Sequence, residues 1–523
     1  MTTTLIRGKY VVSLDNPPVI VDGAVLVRDD RIEAVGPYEQ FATTPVDLRL
    51  GDAHSIVMPG FINGHWHTEC YTSAGMSGTI FEFTNLFLGA GPAEVDAESL
   101  ELLATYGLMD CLKGGQTAMI DAYYGKTGMK HFGAPEVLRA YDKLGLRVAF
   151  ALSLRDQNTL VHQDDQAFLA QFGAQVAAEV MASPLGYAWD IDSVLRAYRE
   201  LGDEWEGRDG RFHFILAPDW TPACSDQLLV RAKREAAERG AGLTIHVLET
   251  RSELYWNLKV NGEPAVWRLD RLGILGDDVS LGHFVWATDA DLDVFCQSGA
   301  IAVNNPGSNL RLSSGISRVA DILDRGGRVC FGTDGISSTE REDFFAELRL
   351  ALLLQRRPNT FTPHRLDSLT VLRAAGDNGA RAIGWPDQLG RLSPGKLADL
   401  LVLEGGRVFF PPGRHTGMDP LDVILDRADH TDLRHVLVGG RPVLVNGRVT
   451  GVSEKAVLDR LVELGEEVLY GPYLERTRAV ELAGLLAAKA EAMYEAWYAE
   501  PILQPAYVYN AAIGPVPPPA RGA

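Results

Sequence analysis

Residues 56–67 read I-V-M-P-G-F-I-N-G-H-W-H. An apolar run, Ile56, Val57 and Met58, meets Pro59-Gly60, resumes with Phe61 and Ile62, and ends in two histidines one residue apart. On an extended backbone, residues i and i+2 point to the same side, so His65 and His67 can aim their imidazoles at one point. Trp66, between them, points the opposite way and reads as core. The pair alone is weak: with 12 His in 523 residues, composition puts an H-x-H into about one such chain in four. Its weight comes from the strands and strand ends further along the chain.

Seven further apolar or β-branched runs come after this strand: Thr117 to Asp121, Val148 to Leu154, Phe212 to Ala217, Leu243 to Val247, Val279 to Gly282, Ala300 to Asn304 and Arg328 to Gly332. Stretches of helical periodicity sit between most of them, among them 98–113, 226–239, 252–272, 289–298 and 339–355. Eight strand–helix units between 59 and 388 predict a (β/α)8 TIM barrel, an α/β fold whose functional groups stand at the carboxyl ends of the strands. A doubly wound open sheet is the alternative, but no G-x-G-x-x-G follows the first strand.

Short β-rich runs flank this core at both ends. Lys9 to Leu14, Ala24 to Val27 and Arg31 to Val35 lie within 1–58. Ala398 to Leu403, Val436 to Val438, Pro442 to Val445 and the Asn446-Gly447 turn lie within 389–452. Each set is too small to bury much alone, so a single small β-sandwich assembled from both ends is expected. Residues 453–523 form a tail: Ser453 to Gly471 and Thr477 to Glu500 read as helices serving packing or subunit contact. A Pro-rich, disordered end is expected after them.

Composition narrows the function. Hydrophobic content of 46% and charged content of 23% are those of a globular protein. A net charge of −20 disfavours nucleic acid and anionic membrane as partners. Cys70, Cys111, Cys224, Cys296 and Cys330 contain no C-x-x-C and read as free thiols. With no basic-then-apolar leader and no run of 18 apolar residues, the expected location is the cytoplasm.

The strand ends carry the chemistry. The fifth strand ends in His246, with Glu249 three residues on; the sixth ends in His283 and the eighth in Asp334. Taken singly, each is more often a turn or hydrogen-bonding residue. Together with His65 and His67 they supply what a catalytic Zn²⁺ site requires: neutral nitrogens, a hard oxygen and room for water.

The motifs P-G-F-I-N-G-H-W-H, H-V-L-E-T, L-G-H, S-N-L-R-L, F-G-T-D-G-I-S-S and G-R-L-S-P-G-K-L-A-D-L resemble the amidohydrolase superfamily. The nearest branch is that of cytosine, guanine and adenosylhomocysteine deaminases and the triazine hydrolases. The resemblance covers residues 5 to 450 and leaves the tail outside. It implies that His65, His67, His246 and Asp334 bind one divalent ion, Zn²⁺ with Fe²⁺ as the alternative. It also implies that His283 hydrogen-bonds the attacking water or the substrate, and that Glu249 shuttles protons. Binuclear members carry a carboxylated lysine on strand four; R-F-H-F-I-L-A-P-D has none, so a single ion is expected.

Departures bear on the substrate. Strand four of the branch's deaminases ends A-P-H, where this chain has Ala217-Pro218-Asp219; the loop after strand seven reads Asn304-Asn305-Pro306-Gly307-Ser308-Asn309; and Thr68-Glu69 come directly after the histidine pair. The pocket is therefore expected to differ from that of common purine and nucleoside deaminases, with Asp219, Asn304, Arg155, Trp66 and Glu69 as candidate substrate contacts. The expected activity is hydrolysis of a C–N bond in a small N-heterocycle, releasing ammonia or an amine. Hydrolysis of an exocyclic amide, urea or carbamate is the alternative, and a catalytically dead assembly scaffold is the reading from another class. The expected assembly is a homo-oligomer, held through the tail.

Overall fold

The computed structural model describes residues 2–68, 82, 86, 87, 95–126, 128–186, 190–339, 341–356, 366–474 and 477–499. Its centre is an eight-stranded parallel barrel: Phe61–Trp66, Gln116–Tyr123, Arg147–Leu154, Phe212–Pro218, Leu243–Val247, Val279–His283, Ile301–Asn304 and Arg328–Phe331, barrel strands one to eight in that order. Every residue of strands two and three is buried, as expected of parallel strands with helices outside and packed side chains inside. The two ends of the sheet meet where Trp66 pairs with Asp334 in a parallel bridge. There the Asp334 N–H donates to the His65 carbonyl at 3.0 Å.

Residues 56–67, one strand in sequence, form two. Ile56–Pro59 lies in a separate nine-stranded sheet, paired in parallel with Thr3–Val12 on one side and antiparallel with Leu400–Leu403 on the other. Phe61–Trp66 is the first barrel strand. Gly60 makes the crossing, and only a residue without a side chain fits: a Cβ there would stand 2.3 Å from Thr117 Oγ1. The nine-stranded sheet joins both ends of the chain, as the matching β-rich runs led us to expect.

The helices mostly follow their periodicity. Ala97–Lys113, Asp226–Glu238 and Asp289–Ser298 start at the capping side chains Asp96, Ser225 and Thr288. The expected helix over 252–272 is instead three pieces: Arg251–Tyr255, a wider turn Trp256–Asn261, and Ala265–Arg271. Gly262, at φ 82°, and Pro264 end the middle piece, one by left-handed backbone and the other by its missing N–H. The tail helices run Glu454–Leu474, interrupted at Gly465, and Arg478–Tyr498. The second buries Leu482, Leu486 and Tyr494 against Leu160, Phe168 and Val180 of its own chain. The Pro-rich end lies outside the described residues. Among the described residues no helix is long and apolar enough to cross a membrane, and Cys111, Cys224, Cys296 and Cys330 are free thiols; Cys70 is not among them.

Candidate metal centre

Barrel strand one ends by presenting both its histidines inward. The His65 and His67 rings stand edge to face with centroids 4.7 Å apart. His246, at the end of strand five, brings its Nε2 to 3.3 Å from that of His67. Asp334, just past strand eight, holds Oδ1 at 3.4 Å from Nε2 of both His65 and His67. His283, ending strand six, stands slightly farther out, with Nε2 at 3.9 Å from the same oxygen. Two overlapping triads share His65, one with His67 and His246 and the other with His283 and Asp334, and all five groups are buried. His283 and Asp334 hold left-handed backbone, φ 64° and 68°, a conformation that non-glycine residues adopt at a cost and that clusters at functional sites. Beneath them Gly332 allows a close approach: a Cβ would meet Asn305 Oδ1 at 2.5 Å and the His65 carbonyl at 2.8 Å.

The hydrogen bonds behind the rings set which nitrogen faces the centre. Nδ1 of His67 lies 2.5 Å from the Ala122 carbonyl, and Nδ1 of His246 lies 2.6 Å from the Asp219 carbonyl. A carbonyl only accepts, so both rings carry the proton on Nδ1 and turn the Nε2 lone pair inward. His283 Nδ1 meets Asn309 Oδ1 at 2.8 Å, and Asn309 Nδ2 donates to Asn304 Oδ1 at 3.3 Å, fixing the amide's orientation. Ser308 Oγ donates to Asp334 Oδ2 at 2.6 Å, leaving Oδ1 for the centre. Burial pulls the His65 imidazolium well below its usual range and those of His67 and His283 to about 4. All three rings are therefore neutral at pH 7, the state a metal ligand requires. For Asp334 burial opposes ionisation, but the polar rings of His65, His283 and His67 packed against it outweigh burial and hold it well below the usual carboxylate range.

Two observations test whether these residues fit a cation. Among the described residues neither ring nitrogen of His65 has a hydrogen-bond partner although both are buried; an ion between the ligands would satisfy Nε2. The donor set, three imidazoles and a carboxylate, is that of a catalytic zinc-type site. The residues fit.

Beside the centre, Glu249 ends the turn after strand five, just before Thr250 caps helix Arg251–Tyr255. Its carboxyl lies 3.6 Å from His283 Nδ1, and among the described residues neither oxygen has a hydrogen-bond partner. Burial, reinforced by the charges of Asp334, Glu253, Glu82 and Asp219, pushes it well above the usual carboxylate range. Glu253 fixes the turn by accepting from the Glu249 N–H at 2.8 Å and from Thr221 Oγ1 at 2.7 Å.

The other sequence candidates scatter. Asp219 is fully buried beside His246; its carboxylate stands 3.7 Å from His246 Nδ1 and 3.6 Å from Arg155 Nη1. Burial raises its pKa, against the pull of Arg155, His246 and the Tyr124 hydroxyl. Asn304 takes part in orienting Asn309. Trp66 faces away from the histidines, and its Nε1 donates to Glu342 at 3.2 Å. Glu69 lies outside the described residues. Sequence reasoning missed Asn63, which accepts from the His65 and Thr333 N–H groups and donates to Gln116 and Thr333. It also missed Asp121, which accepts from the Thr68 N–H at 3.1 Å and the Tyr141 hydroxyl at 3.0 Å. Asn63 lies inside the quoted P-G-F-I-N-G-H-W-H motif, two residues before His65, and Asp121 ends the neighbouring buried run, but neither position by itself announces a supporting role.

A barrel with this cluster at its carboxyl rim has the donor set of a metal-dependent hydrolase. The amidohydrolase family model matches residues 56–443, and the chain belongs to the amidohydrolase family, hydrolases of C–N bonds. A shorter match, 23–42, is to the imidazolonepropionase-like composite domain of bacteria. Among curated relatives, the 5'-deoxyadenosine deaminase of Methanopyrus kandleri is 29% identical over 456 residues, 86% of this chain and 96% of that protein. The 5-methylthioadenosine/S-adenosylhomocysteine deaminase of Desulforamulus reducens is 27% identical, over 92% of this chain and all of that protein. Of solved structures, a zinc-bound adenosine deaminase from Xanthomonas campestris superposes with a TM-score of 0.76 at 24% identity, covering 89% of this chain and 98% of that one. A triazine hydrolase from Arthrobacter aurescens gives 0.76 at 21%, covering 89% and 99%. The similar folds agree with the barrel, and the relatives' names are those of deaminases.

Proposed function

We propose that this protein is a mononuclear metal-dependent deaminase of an aminated N-heterocycle, with adenine nucleosides as the class to test first. The observation that carries it is the pairing of a convergent His65–His67–His246–Asp334 set with a buried, unpartnered Glu249 beside it. Those four residues would hold one ion, zinc or ferrous iron, whose Lewis acidity makes a water acidic near neutral pH. Asp334 Oδ1 takes the proton that the attacking water gives up. Glu249, protonated at rest, delivers its proton to the ring nitrogen next to the attacked carbon; Asp334 then passes the water's proton to the exocyclic nitrogen, the C–N bond breaks to release ammonia, and Glu249 recovers a proton from the added hydroxyl as the carbonyl forms. His283, its Nδ1 held by Asn309, presents Nε2 as an acceptor that orients the attacking oxygen. Asp219 stands where related deaminases end strand four in histidine, so ring recognition in this chain is expected to differ there.

Metal analysis of the purified protein, then ammonia-release assays with 5'-deoxyadenosine, 5-methylthioadenosine and aminotriazines, tests the proposal. One equivalent of metal and ammonia release that a chelator abolishes are the expected results. Release of an acid from amides or carbamates without ammonia would instead favour the exocyclic reaction, and a metal-free protein would end the proposal. We further take the enzyme to be a cytoplasmic homo-oligomer; sedimentation at micromolar concentration reads the assembly.

A further inference from the structure

The helix Arg478–Tyr498 lies beyond the family match, which ends at residue 443, yet its last two turns reach the short helix that follows Glu249 and the loop that carries His162. On one side, Tyr498 packs edge to face on Tyr255, with ring centroids 5.3 Å apart, and the Arg251 guanidinium lies 4.4 Å over its ring. Arg251 and Tyr255 belong to the short helix that starts directly after Glu249. On the other side, the buried Tyr494 hydroxyl accepts from the His162 backbone N–H at 3.2 Å and meets His162 Nδ1 at 2.8 Å. Burial lowers the His162 imidazolium to about 3, so the ring is neutral and Nδ1 can receive the hydroxyl proton. The hydroxyl thus spends its donor and one acceptor site on a single residue, which phenylalanine could not do.

His162 leads inward. Its ring lies 6.4 Å from that of Trp220, which is buried and paired in a parallel bridge with His246. One residue earlier, the Asp219 carbonyl accepts from both the backbone N–H and Nδ1 of His246. A shift of this strand end therefore moves the group that sets the tautomer and tilt of a candidate ligand.

We propose that Tyr494 is a positioning residue for the metal centre, its hydroxyl holding, through His162 and Trp220, the strand end on which Asp219 orients His246. The inference rests on the reading of His65, His67, His246 and Asp334 as a metal site. A tail beyond the barrel then belongs to the working enzyme, as the outer layer of its ligand cage.

The test uses the full chain and Co²⁺ as the probe metal. Cobalt affinity by chelator competition, the visible spectrum of the cobalt-loaded protein and the melting temperature of the metal-free form are measured for Tyr494→Phe, His162→Leu and the double variant. Each single change is expected to weaken Co²⁺ binding about tenfold, as for other groups that orient ligands, and to shift the visible bands. The double variant should lose no more than the weaker single, because both break one linkage. Wild-type affinity in either single variant, or losses that add in the double, would overturn the proposal, as would a fallen melting temperature with unchanged spectrum and affinity. Should Tyr494→Phe fail to fold, His162→Leu with the same readouts decides. Wild-type protein that takes up no cobalt sinks the metal-site reading itself; wild-type uptake matched by the variants sinks only this inference.

Discussion

The two halves of the metal centre are built on opposite plans. Around strands one, seven and eight the groups behind the centre are hydrogen-bonded: Asn63 ties the His65 and Thr333 backbones, Ser308 holds Asp334, and Asn304 and Asn309 orient His283 at the end of strand six. Around strands four and five the carboxylates of Asp219 and Glu249 are buried without a hydrogen bond of normal geometry. A buried polar group left unmatched costs about 1–3 kcal/mol, so the second half keeps a strained reserve for a ligand to relieve.

The largest expected effect is metal removal: dialysis against a chelator should abolish ammonia release, and added Zn²⁺ should restore it. Next comes Glu249→Gln, expected to lower kcat by about 10²–10⁴-fold with metal content unchanged. Because it also replaces an unpartnered carboxyl, its melting temperature should not fall, and full activity in this variant would erase the contrast between the halves. Ser308→Ala attacks the ordered half and should behave in reverse. Metal affinity drops about 10–100-fold, read by chelator competition, with a lower melting temperature; equal affinity would show that Asp334 needs no such support.

The smallest effect is a pH dependence of stability. Burial pushes Glu347, which accepts from the Gly307 N–H at 2.8 Å, up to about 8 from the usual 4.5. The folded chain therefore keeps this proton where the unfolded chain has already released it. The group's contribution is complete below about 4.5 and is lost as pH rises toward 8. Glu347→Gln removes that slope, so thermal melts should show a smaller fall in stability between pH 5 and pH 8 than in the parent. An unchanged slope would place the proton elsewhere.

The eight barrel strands were legible because parallel strands buried on both faces leave long apolar runs with ends marked by Gly, Pro or a polar residue. His65, His67, His246, His283 and Asp334 stood out because strand ends are where a barrel puts chemistry. Two things were not legible. The break at Gly60 hides in an apolar run that serves two sheets, since hydrophobicity does not say which sheet a strand joins. The supporting groups hide because Asn63, Asp121, Ser308 and Tyr494 act through contacts between residues far apart in sequence; Tyr494 and His162 are 332 positions apart. The expected helix over 252–272 failed where Gly262 and Pro264, both visible, were outweighed by periodicity on either side.

The barrel closes by the single bridge between Trp66 and Asp334, with His65 and His67 on one side of that join and Asp334 just across it. A cation gripped from both sides would act as a clasp on the seam, bonding the first strand to the last where the backbone ladder is thinnest. Loaded protein should then exchange the amide protons of Trp66 and Asp334 far more slowly than stripped protein. Loss of the ion would loosen the whole cylinder from that line, making cofactor retention and barrel integrity one property.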